Sequence, residues 1–452
     1  MANATIVKAP HRLPVLGNVV SLAKGRLAYL ETLTPLADIV EIAIGGQPYY
    51  LINNGDLLNQ VLTADSDSYD KGKLFENVKL FLGNGLMTCA KAEHRRQRRM
   101  LQPAFSQTAL KQYAEFISET ADRHIGGYRD GQVLDLYTEL QQMTMKLISK
   151  TIFSSEDYDN VSAKVADVLP EFLKGILRQT VMPADFLNKL PFPANRRFQR
   201  AQTTIRAAVG DVVTQYLAEG GTDGDLMALL VAARDEHGGE LDHELLVDQV
   251  LTFLMAGAET TATTMSWFLY AMTTEPALER EIAEEVAEVL QGRPPTIDDL
   301  RSLPKLSRAL TETLRLYCPV WFQTRRSIAP VTLGGNDFPT GTNFIYSFAA
   351  MQRDPRFFPD PLAFNPDRWL NPTHPRTVFI PFGSGSRKCI GDNFAIMSVT
   401  LALASFMQHW SFTKEGDAPV KPFAGAVLHP QPLHLRLAAR KPAERRAPAA
   451  TS

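Results

Sequence analysis

The segment that most constrains this chain runs from Phe379 to Phe394 and reads FIPFGSGSRKCIGDNF. It places one cysteine, Cys389, among several glycines and next to Arg387. Glycine tolerates positive φ, so a glycine-rich loop can aim several backbone amides at a thiolate that binds a metal. The apolar run after Gly391 predicts a long helix, and the start of a helix favours a thiolate. The alternative interpretation is an ordinary buried thiol beside a glycine-rich turn.

A second constraint is the stretch from Leu241 to Thr274, which predicts one long apolar helix buried on most sides. Its middle contains a glycine, a carboxylic acid and a hydroxyl in the order Ala256, Gly257, Ala258, Glu259, Thr260. Such polar groups are costly in a core helix unless they have partners. Gly257 weakens the helix and threonine can bond back to a carbonyl one turn earlier, so we expect a kink or widened turn with a small polar niche. The alternative is a water-satisfied break without a catalytic role.

A basic segment, AEHRRQRRMLQPAF, precedes these motifs and covers residues Ala92 to Phe105. His94 and Arg98 are four residues apart and therefore share one face of a predicted helix. An imidazole and a guanidinium on one face suit a carboxylate ligand. The alternative is a solvated basic face, which is the usual role of such a run.

Together these patterns resemble the haem-thiolate monooxygenases, the cytochromes P-450. The cysteine-ligand loop of that family reads Phe-x-x-Gly-x-Arg-x-Cys-x-Gly, and it is matched here by Phe382, Gly385, Arg387, Cys389 and Gly391. The family's oxygen-activation motif, small-Gly-x-acid-Thr, is matched by Ala256 to Thr260. Its Glu-x-x-Arg pair is matched by Glu312 and Arg315, with Arg368 of FNPDRW as the third member. The motifs follow the family's order and cover nearly the whole chain.

The resemblance implies a role for each of these residues. Cys389 is the iron ligand of haem b, and Glu259 with Thr260 delivers protons to bound oxygen. The expected cofactor-binding residues are His94, Arg98, Arg325, Phe382, Gly383, Arg387, Cys389 and Gly391. Among them Arg98 and Arg325 reach haem propionates, and His94 stands where many members have tryptophan. Glu312, Arg315 and Arg368 interlock and have a structural role.

The resemblance also implies a fold and a reaction. The fold is mainly α with small β-sheets, a triangular helical prism around a buried haem, with a single domain over residues 1–440 and a disordered tail over 441–452. The reaction uses O₂ and two electrons from a separate ferredoxin and ferredoxin reductase to hydroxylate or epoxidise a hydrophobic small molecule. Alternatives are oxidative cyclisation, coupling or desaturation with the same cofactor, a peroxide-driven relative, and a non-enzymatic haem sensor. The intact Glu259–Thr260 pair argues against the last two.

The candidate substrate pocket draws on several apolar segments. The segment from Tyr69 to Met87 predicts a loop that folds over other parts of the chain. Val181 to Phe198 is broken by prolines and predicts a mobile lid. Ala424 to Val427 is expected to form the tip of a C-terminal hairpin. The expected lining residues are Leu74, Phe75, Val78, Phe81, Ala256, Val320, Phe322, Gln323 and Val427. This lining suits a hydrophobic natural product such as a terpenoid or polyketide, with Gln323 as a polar anchor.

Charge and cysteine content exclude some classes of protein. A net charge of -2 gives no reason to expect a nucleic-acid partner. Three cysteines supply no disulfide framework and suit a reducing cytoplasm. The first residues lack the run of about 20 apolar residues that a membrane anchor needs. We therefore expect a cytoplasmic monomer whose electron donor docks on a basic face formed by Arg95, Arg96, Arg99, Arg353, Arg356 and Lys388.

Overall fold

The computed structural model describes residues 3–154, 192–220 and 224–440, with five positions between 165 and 175. Most of the described chain is helical. In chain order the described helices are α1 Val19–Leu33, α2 Gly55–Asn59, α3 Lys73–Leu82, α4 Lys91–Leu101, α5 Gln107–Gly126, α6 Leu136–Ile152, α7 Pro193–Glu219, α8 Leu226–Ala232, α9 His243–Thr274, α10 Pro276–Leu290, α11 Pro304–Leu316, α12 Phe348–Gln352 and α13 Asp392–His409. None of these helices is long and apolar enough to span a membrane.

The strands form small sheets beside the helices. They are β1 Ile6–Lys8, β2 Ile39–Ile44, β3 Gln47–Ile52, β4 Tyr69–Asp70, β5 Val133–Asp135, β6 Gln323–Ser327, β7 Val331–Leu333, β8 Asn336–Phe338, β9 Asn343–Tyr346, β10 Trp410–Lys414, β11 Lys421–Ala424, β12 Leu428–Gln431 and β13 His434–Ala439. The largest sheet has the order β1-β2-β3-β9-β6-β4, and β10-β13-β5 form a second. β7 pairs with β8 and β11 with β12. The predicted hairpins at β2–β3 and β11–β12 are confirmed.

Two long apolar helices, α9 and α13, organise the core. Asp242 caps α9 by accepting a hydrogen bond from the backbone N–H of Leu245, and the helix then runs to Thr274 without interruption. The long helix is therefore confirmed, but no break occurs at Gly257. A Cβ on Gly257 would lie 2.6 Å from Cδ1 of Ile148, so this glycine admits the close packing of α6 instead. One buried apolar cluster surrounds α9 and α13, and a second lies between the six-stranded sheet and α1.

The loop predicted between Tyr69 and Met87 contains helix α3, so that prediction was wrong for residues 73–82. Gly72 and Gly83, with φ of 88° and 75°, bound the helix at its two ends. Between them the apolar residues recur at a spacing of three to four, which is the period of a helix rather than of a loop. The short length of the segment hid this period in the sequence.

Part of the predicted lid is also helical. Helix α7 begins at Pro193, because proline is tolerated in the first turn of a helix. Residues 181–191 of the lid and the tail at 441–452 lie outside the described residues.

Glu312 and Arg315 form an ion pair with no exposed side-chain surface, and Arg315 Nη2 lies 2.7 Å from Glu312 Oε1. The same carboxylate accepts hydrogen bonds from Arg368 Nε at 3.0 Å and from Trp369 Nε1 at 2.9 Å. Arg315 also donates to the carbonyl oxygen of Gln352 at 2.8 Å. Every charged atom of the pair is thus compensated, as burial requires. The network fastens α11 to the irregular segment around residue 365.

Candidate active site

Cys389 lies in a tight loop, Phe382–Gly391, which we call the cysteine loop and which leads into α13. The backbone N–H of Cys389 donates to the carbonyl oxygen of Phe382 at 2.9 Å and closes the loop. Gly385 has a φ of 68°, and a Cβ there would lie 1.7 Å from the carbonyl oxygen of Leu62. A side chain at this position would therefore collide with the backbone. The tight, glycine-dependent loop expected here is confirmed.

Cys389 is the exposed cysteine, whereas Cys89 and Cys318 are buried. Removal of water from around the sulfur raises the pKa of the Cys389 thiol, whereas the backbone N–H of Gly391 and the charge of Arg98 lower it. The stabilising contribution expected from the loop amides is therefore present, and desolvation opposes it. A metal cation on the sulfur supplies the charge that holds a thiolate.

Basic side chains from several elements converge on the cysteine loop. Arg387 Nη2 donates to Asp70 Oδ1 at 2.9 Å, and Arg98 Nη1 of α4 donates to the carbonyl oxygen of Lys388 at 2.6 Å. Arg325, on β6, is 9% exposed. Asp70 lies on β4, which pairs with β6, so the largest sheet brings Arg325 and Arg387 to one place.

Lys71 joins this basic cluster and was missed in the sequence. Burial lowers the pKa of Lys71 to about 7, and the charges of Arg387 and Arg325 lower it further, so the amine lies close to both guanidinium groups. A lysine between Asp70 and Gly72 gives no sequence signal for anion binding. Only the pairing of β4 with β6 places it beside the arginines.

His94 is buried in the same region. Burial lowers the pKa of His94 to about 3, with a further lowering from Arg387 and Lys71, so the imidazole is neutral at neutral pH. It can offer an N–H donor but no charge. The positive groups of the cluster are Lys71, Arg98, Arg325 and Arg387, with Asp70 among them. This surplus of buried positive charge fits a ligand with two carboxylates, as the propionates of a haem provide.

Helix α9 presents a narrow accessible strip to the site. Ala256 is exposed, and Gly257 and Thr260 are half-buried, although their neighbours in the helix are buried. Thr260 Oγ1 donates to the carbonyl oxygen of Ala256 at 2.6 Å, which is the back-bond expected from the sequence. Helix α4 links α9 to the cysteine loop: Gln249 of α9, two turns before Ala256, donates to Gln97 at 2.9 Å, and the next residue, Arg98, donates to the carbonyl oxygen of Lys388.

The side chain of Glu259 projects from a different side of α9 than the side chain of Thr260. Its side chain is buried against α6, where Tyr137 donates to Oε1 at 2.5 Å and Gln141 donates to Oε2 at 3.0 Å. Burial raises the pKa of Glu259, and the two hydrogen bonds offset part of the rise. The sequence placed Glu259 and Thr260 in one relay but could not reveal these two partners, because they lie more than a hundred residues earlier in the chain.

The predicted substrate-lining residues fall into two groups. Leu74, Phe75 and Val78 of α3 are half-buried, whereas the ring of Phe81 packs edge-on against Phe198 at 4.6 Å between centroids. Phe81 thus joins α3 to α7. The second group is Val320, Phe322, Gln323 and Val427, and the β11–β12 hairpin is held to their segment by hydrogen bonds from Trp321 Nε1 to Gly425 and from Leu428 to Pro319.

Asp248 of α9 fastens the end of α3. Its Oδ2 accepts the backbone N–H of Asn84 at 2.6 Å, and its Oδ1 accepts Arg206 of α7 at 2.8 Å. A Cβ on Gly83 would lie 2.0 Å from the same carboxylate, so the chain approaches it closely. The C-terminal end of α3 is therefore tied to α7 and α9 together.

The basic face expected for an electron donor is not formed as predicted. Five of its six members are paired with carboxylates: Arg96 with Asp235, Arg99 with Glu236, Arg353 with Glu31, Arg356 with Asp354 and Lys388 with Asp392. The partners of Arg96, Arg99 and Arg353 come from distant segments, and the sequence gives no signal of these pairs. Arg95 is exposed, and Lys388, half exposed, lies 2.5 Å from Asp392.

Comparisons with known proteins agree with this arrangement. A family model described as Cytochrome P450 matches residues 7–437. Pentalenene oxygenase of Streptomyces avermitilis is 38% identical over 441 residues, covering 96% of this chain and 98% of that protein. Cyclooctat-9-en-7-ol 5-monooxygenase of Streptomyces melanosporofaciens is 36% identical, covering 89% of this chain and 88% of that protein.

A solved structure gives the same result for the fold. The crystal structure of the cytochrome P450DA heme domain matches this chain with a TM-score of 0.87 and 25% identity, covering 98% of this chain and 99% of that one. The predicted architecture, mainly α with small sheets, is confirmed by this match. The chain is thus an oxidoreductase that belongs to the cytochrome P450 family of haem-thiolate monooxygenases.

Proposed function

We propose that this enzyme hydroxylates or epoxidises a hydrophobic terpenoid in natural-product biosynthesis, with haem b as cofactor and a ferredoxin and its reductase as electron donors. The proposal rests on two features that lie on elements in contact with α4. They are the exposed Cys389 and the accessible strip of α9 that ends at Thr260. One holds the cofactor, and the other borders the space where oxygen and substrate meet. Three free cysteines suit a monomer in the reducing cytoplasm.

The bound haem supplies O₂ activation, helped by electron density from a cysteine thiolate. Cys389 would hold the iron, and the basic cluster would anchor the propionates. The protein otherwise positions the substrate and moves protons. Thr260 gives a hydroxyl on the accessible strip whose own proton is bonded to Ala256, so its oxygen is free to accept a hydrogen bond and order a water molecule.

Thr260→Ala is expected to keep cofactor binding but to uncouple electron use from product. Removal of the hydroxyl takes away the group that orders proton delivery, so product formation should fall by about 10²-fold while peroxide is released. Peroxide and product are measured against the electron donor consumed. Thr273→Ala is the matched control, because Thr273 lies in the same helix and also bonds back to a helix carbonyl. Equal coupling in the two variants would exclude Thr260 from the relay.

The substrate class is inferred from the relatives and from the lining residues. The relatives' names denote an alkene and an unsaturated alcohol, pentalenene and cyclooctat-9-en-7-ol. The side chains that we assign to the pocket are apolar except for Gln323, which suits a ring system with few polar groups. The experiment is a spectral-shift screen of cyclic terpenes on the purified haem protein, followed by turnover of those that bind. A product that gains one oxygen atom supports the proposal, whereas loss of two hydrogens indicates desaturation or ring closure.

The electron donor is proposed to dock beside the cysteine loop, where Arg95 and Lys388 are exposed. Lys388→Glu should slow the first reduction by an acidic ferredoxin about tenfold at low ionic strength, because charge steers the encounter, and the difference should shrink as salt is added. Lys305→Glu is the control, since Lys305 is also a surface lysine paired with a carboxylate, Glu281, but lies on α11. Stopped-flow reduction with ferredoxin and with dithionite separates docking from a damaged haem site. Equal rates for the two variants would contradict this docking surface.

A further inference from the structure

One face of α6 runs along α9 beside the oxygen-activation motif. Ile148 of α6 fills the space that a side chain on Gly257 would occupy. About two and three turns nearer the start of α6, the same face presents Gln141 and Tyr137, four residues apart. Both reach Glu259. The close approach of the helices at Gly257 therefore sets the register that brings these two polar side chains to the acid.

Glu259, Tyr137 and Gln141 form a closed hydrogen-bonded triangle. Tyr137 Oη lies 2.5 Å from Glu259 Oε1, Gln141 Nε2 lies 3.0 Å from Glu259 Oε2, and Gln141 Nε2 lies 3.2 Å from Tyr137 Oη. Two donors thus compensate the ionised carboxylate. The carboxyl is 7% exposed, so both its charge and its proton are shielded from solvent.

The surroundings also accommodate the protonated acid. In that state the carboxyl O–H donates to Tyr137 Oη, and the tyrosine proton needs another acceptor. The hydroxyl of Thr263 is buried and lies within hydrogen-bonding reach of Tyr137. Thr263 can therefore accept the tyrosine proton when Glu259 is protonated.

The ring of Tyr137 is held in place by His429 of β12. The two rings stack in parallel, with centroids 4.2 Å apart and planes 8° apart. Of the titratable groups on α6 and β12, Tyr137 and His429 lie nearest to Glu259, whereas Glu139, Lys146 and Lys150 of α6 are not among the groups that shift the pKa of Glu259. Burial raises the pKa of Tyr137 and lowers the pKa of His429, so both are neutral at neutral pH. No fixed positive charge among the described contacts of Glu259 keeps it ionised.

We infer that Tyr137 and Gln141 are positioning residues that hold the Glu259 carboxyl against α6 and so control when it passes a proton to the Thr260 side of α9. In that transfer the carboxyl O–H bond breaks and the proton passes to a water molecule ordered by Thr260. The carboxylate returns to its two donors, and solvent supplies the next proton. No electrons are exchanged in the transfer. The inference rests on the proposed oxygen-insertion function, because it assigns two residues that control the proton relay of that reaction.

Infrared titration of the full-length, haem-loaded protein tests the holding role without substrate or turnover. The carbonyl band of the protonated acid is assigned by its loss in Glu259→Gln. The two hydrogen bonds lower the pKa of Glu259, so removal of either donor should move the midpoint of this band to higher pH. We expect the shift in Tyr137→Phe and in Gln141→Met. Tyr113→Phe, which removes a buried hydroxyl without a partner in the described residues, should leave the midpoint in place.

Measurements during turnover then test whether the two residues affect proton delivery by Glu259. Tyr137→Phe and Gln141→Met should form several-fold less product per electron pair and show a larger solvent deuterium isotope effect than the unchanged protein. Unchanged midpoints in both variants, or shifted midpoints with unchanged coupling and isotope effect, would overturn the inference. Two variants are measured so that the test can still be carried out if one of them does not fold. A failure of the proposed function is distinguishable, because the infrared midpoint would still shift while Thr260→Ala and the terpene screen gave no effect.

Discussion

Cys389→Ala is expected to abolish oxygen insertion and the thiolate-type spectrum of the reduced carbon monoxide complex. The variant removes the exposed cysteine, which lies in a tight loop that depends on glycine at position 385. Without a thiolate the haem is left with no ligand from this loop, and the catalytic enhancement, at least about 10⁶-fold for an enzyme, should be lost. The carbon monoxide difference spectrum and product formation check this result.

Cys89→Ala and Cys318→Ala are the controls for this experiment. Both thiols are buried, and burial raises the pKa of each, that of Cys318 to about 12. Neither lies in the cysteine loop, so both variants should leave the spectrum unchanged. If either control lost the thiolate spectrum while Cys389→Ala kept it, the ligand assignment would be wrong.

The second large effect is on stability. Glu312→Gln should lower the free energy of unfolding by about 3–5 kcal/mol, because it leaves the fully buried guanidinium of Arg315 without its counter-charge. Such a loss is a large part of the 5–15 kcal/mol that typically stabilises a protein. Denaturant unfolding of the haem-free and haem-loaded protein measures it.

A surface pair provides the matched control. Glu119 and Arg123 of α5 form a similar ion pair at 2.6 Å, but their side chains are 70% and 69% exposed. Glu119→Gln should therefore change the free energy of unfolding by less than about 1 kcal/mol. Equal effects of the two substitutions would show that the network around Glu312 is not a structural brace.

The sequence predicted those parts of the site that are local in the chain. The cysteine loop and the Thr260 back-bond depend on residues within one or two turns of each other, so their spacing was informative. The orientation of Glu259 depends on the register between α6 and α9, which spacing along one helix does not determine. Lys71 reaches the basic cluster through pairing of β4 with β6 and could not be predicted for the same reason.

The elements of the fold also differ in how well the sequence predicts them. The long helix α9 was predicted to within about two residues because its apolar run is long, whereas α3 was read as a loop because ten residues display its period only weakly. The ion pairs at the surface could not be predicted, for another reason. Whether an arginine such as Arg96 is free depends on a carboxylate from a distant segment, here Asp235.

The fastening of α3 through Asp248 has a consequence for evolution and engineering. The contacts are made by the backbone N–H of Asn84 and by the close approach of Gly83, and not by the side chains of Leu74, Phe75 or Val78. Those three positions can therefore diversify between descendants of one gene while the helix keeps its anchorage. Phe75 also lies beneath the amine of Lys71, 4.7 Å from its ring centroid, so a library confined to Leu74 and Val78 tests substrate choice in the proposed pocket without altering this contact to the basic cluster.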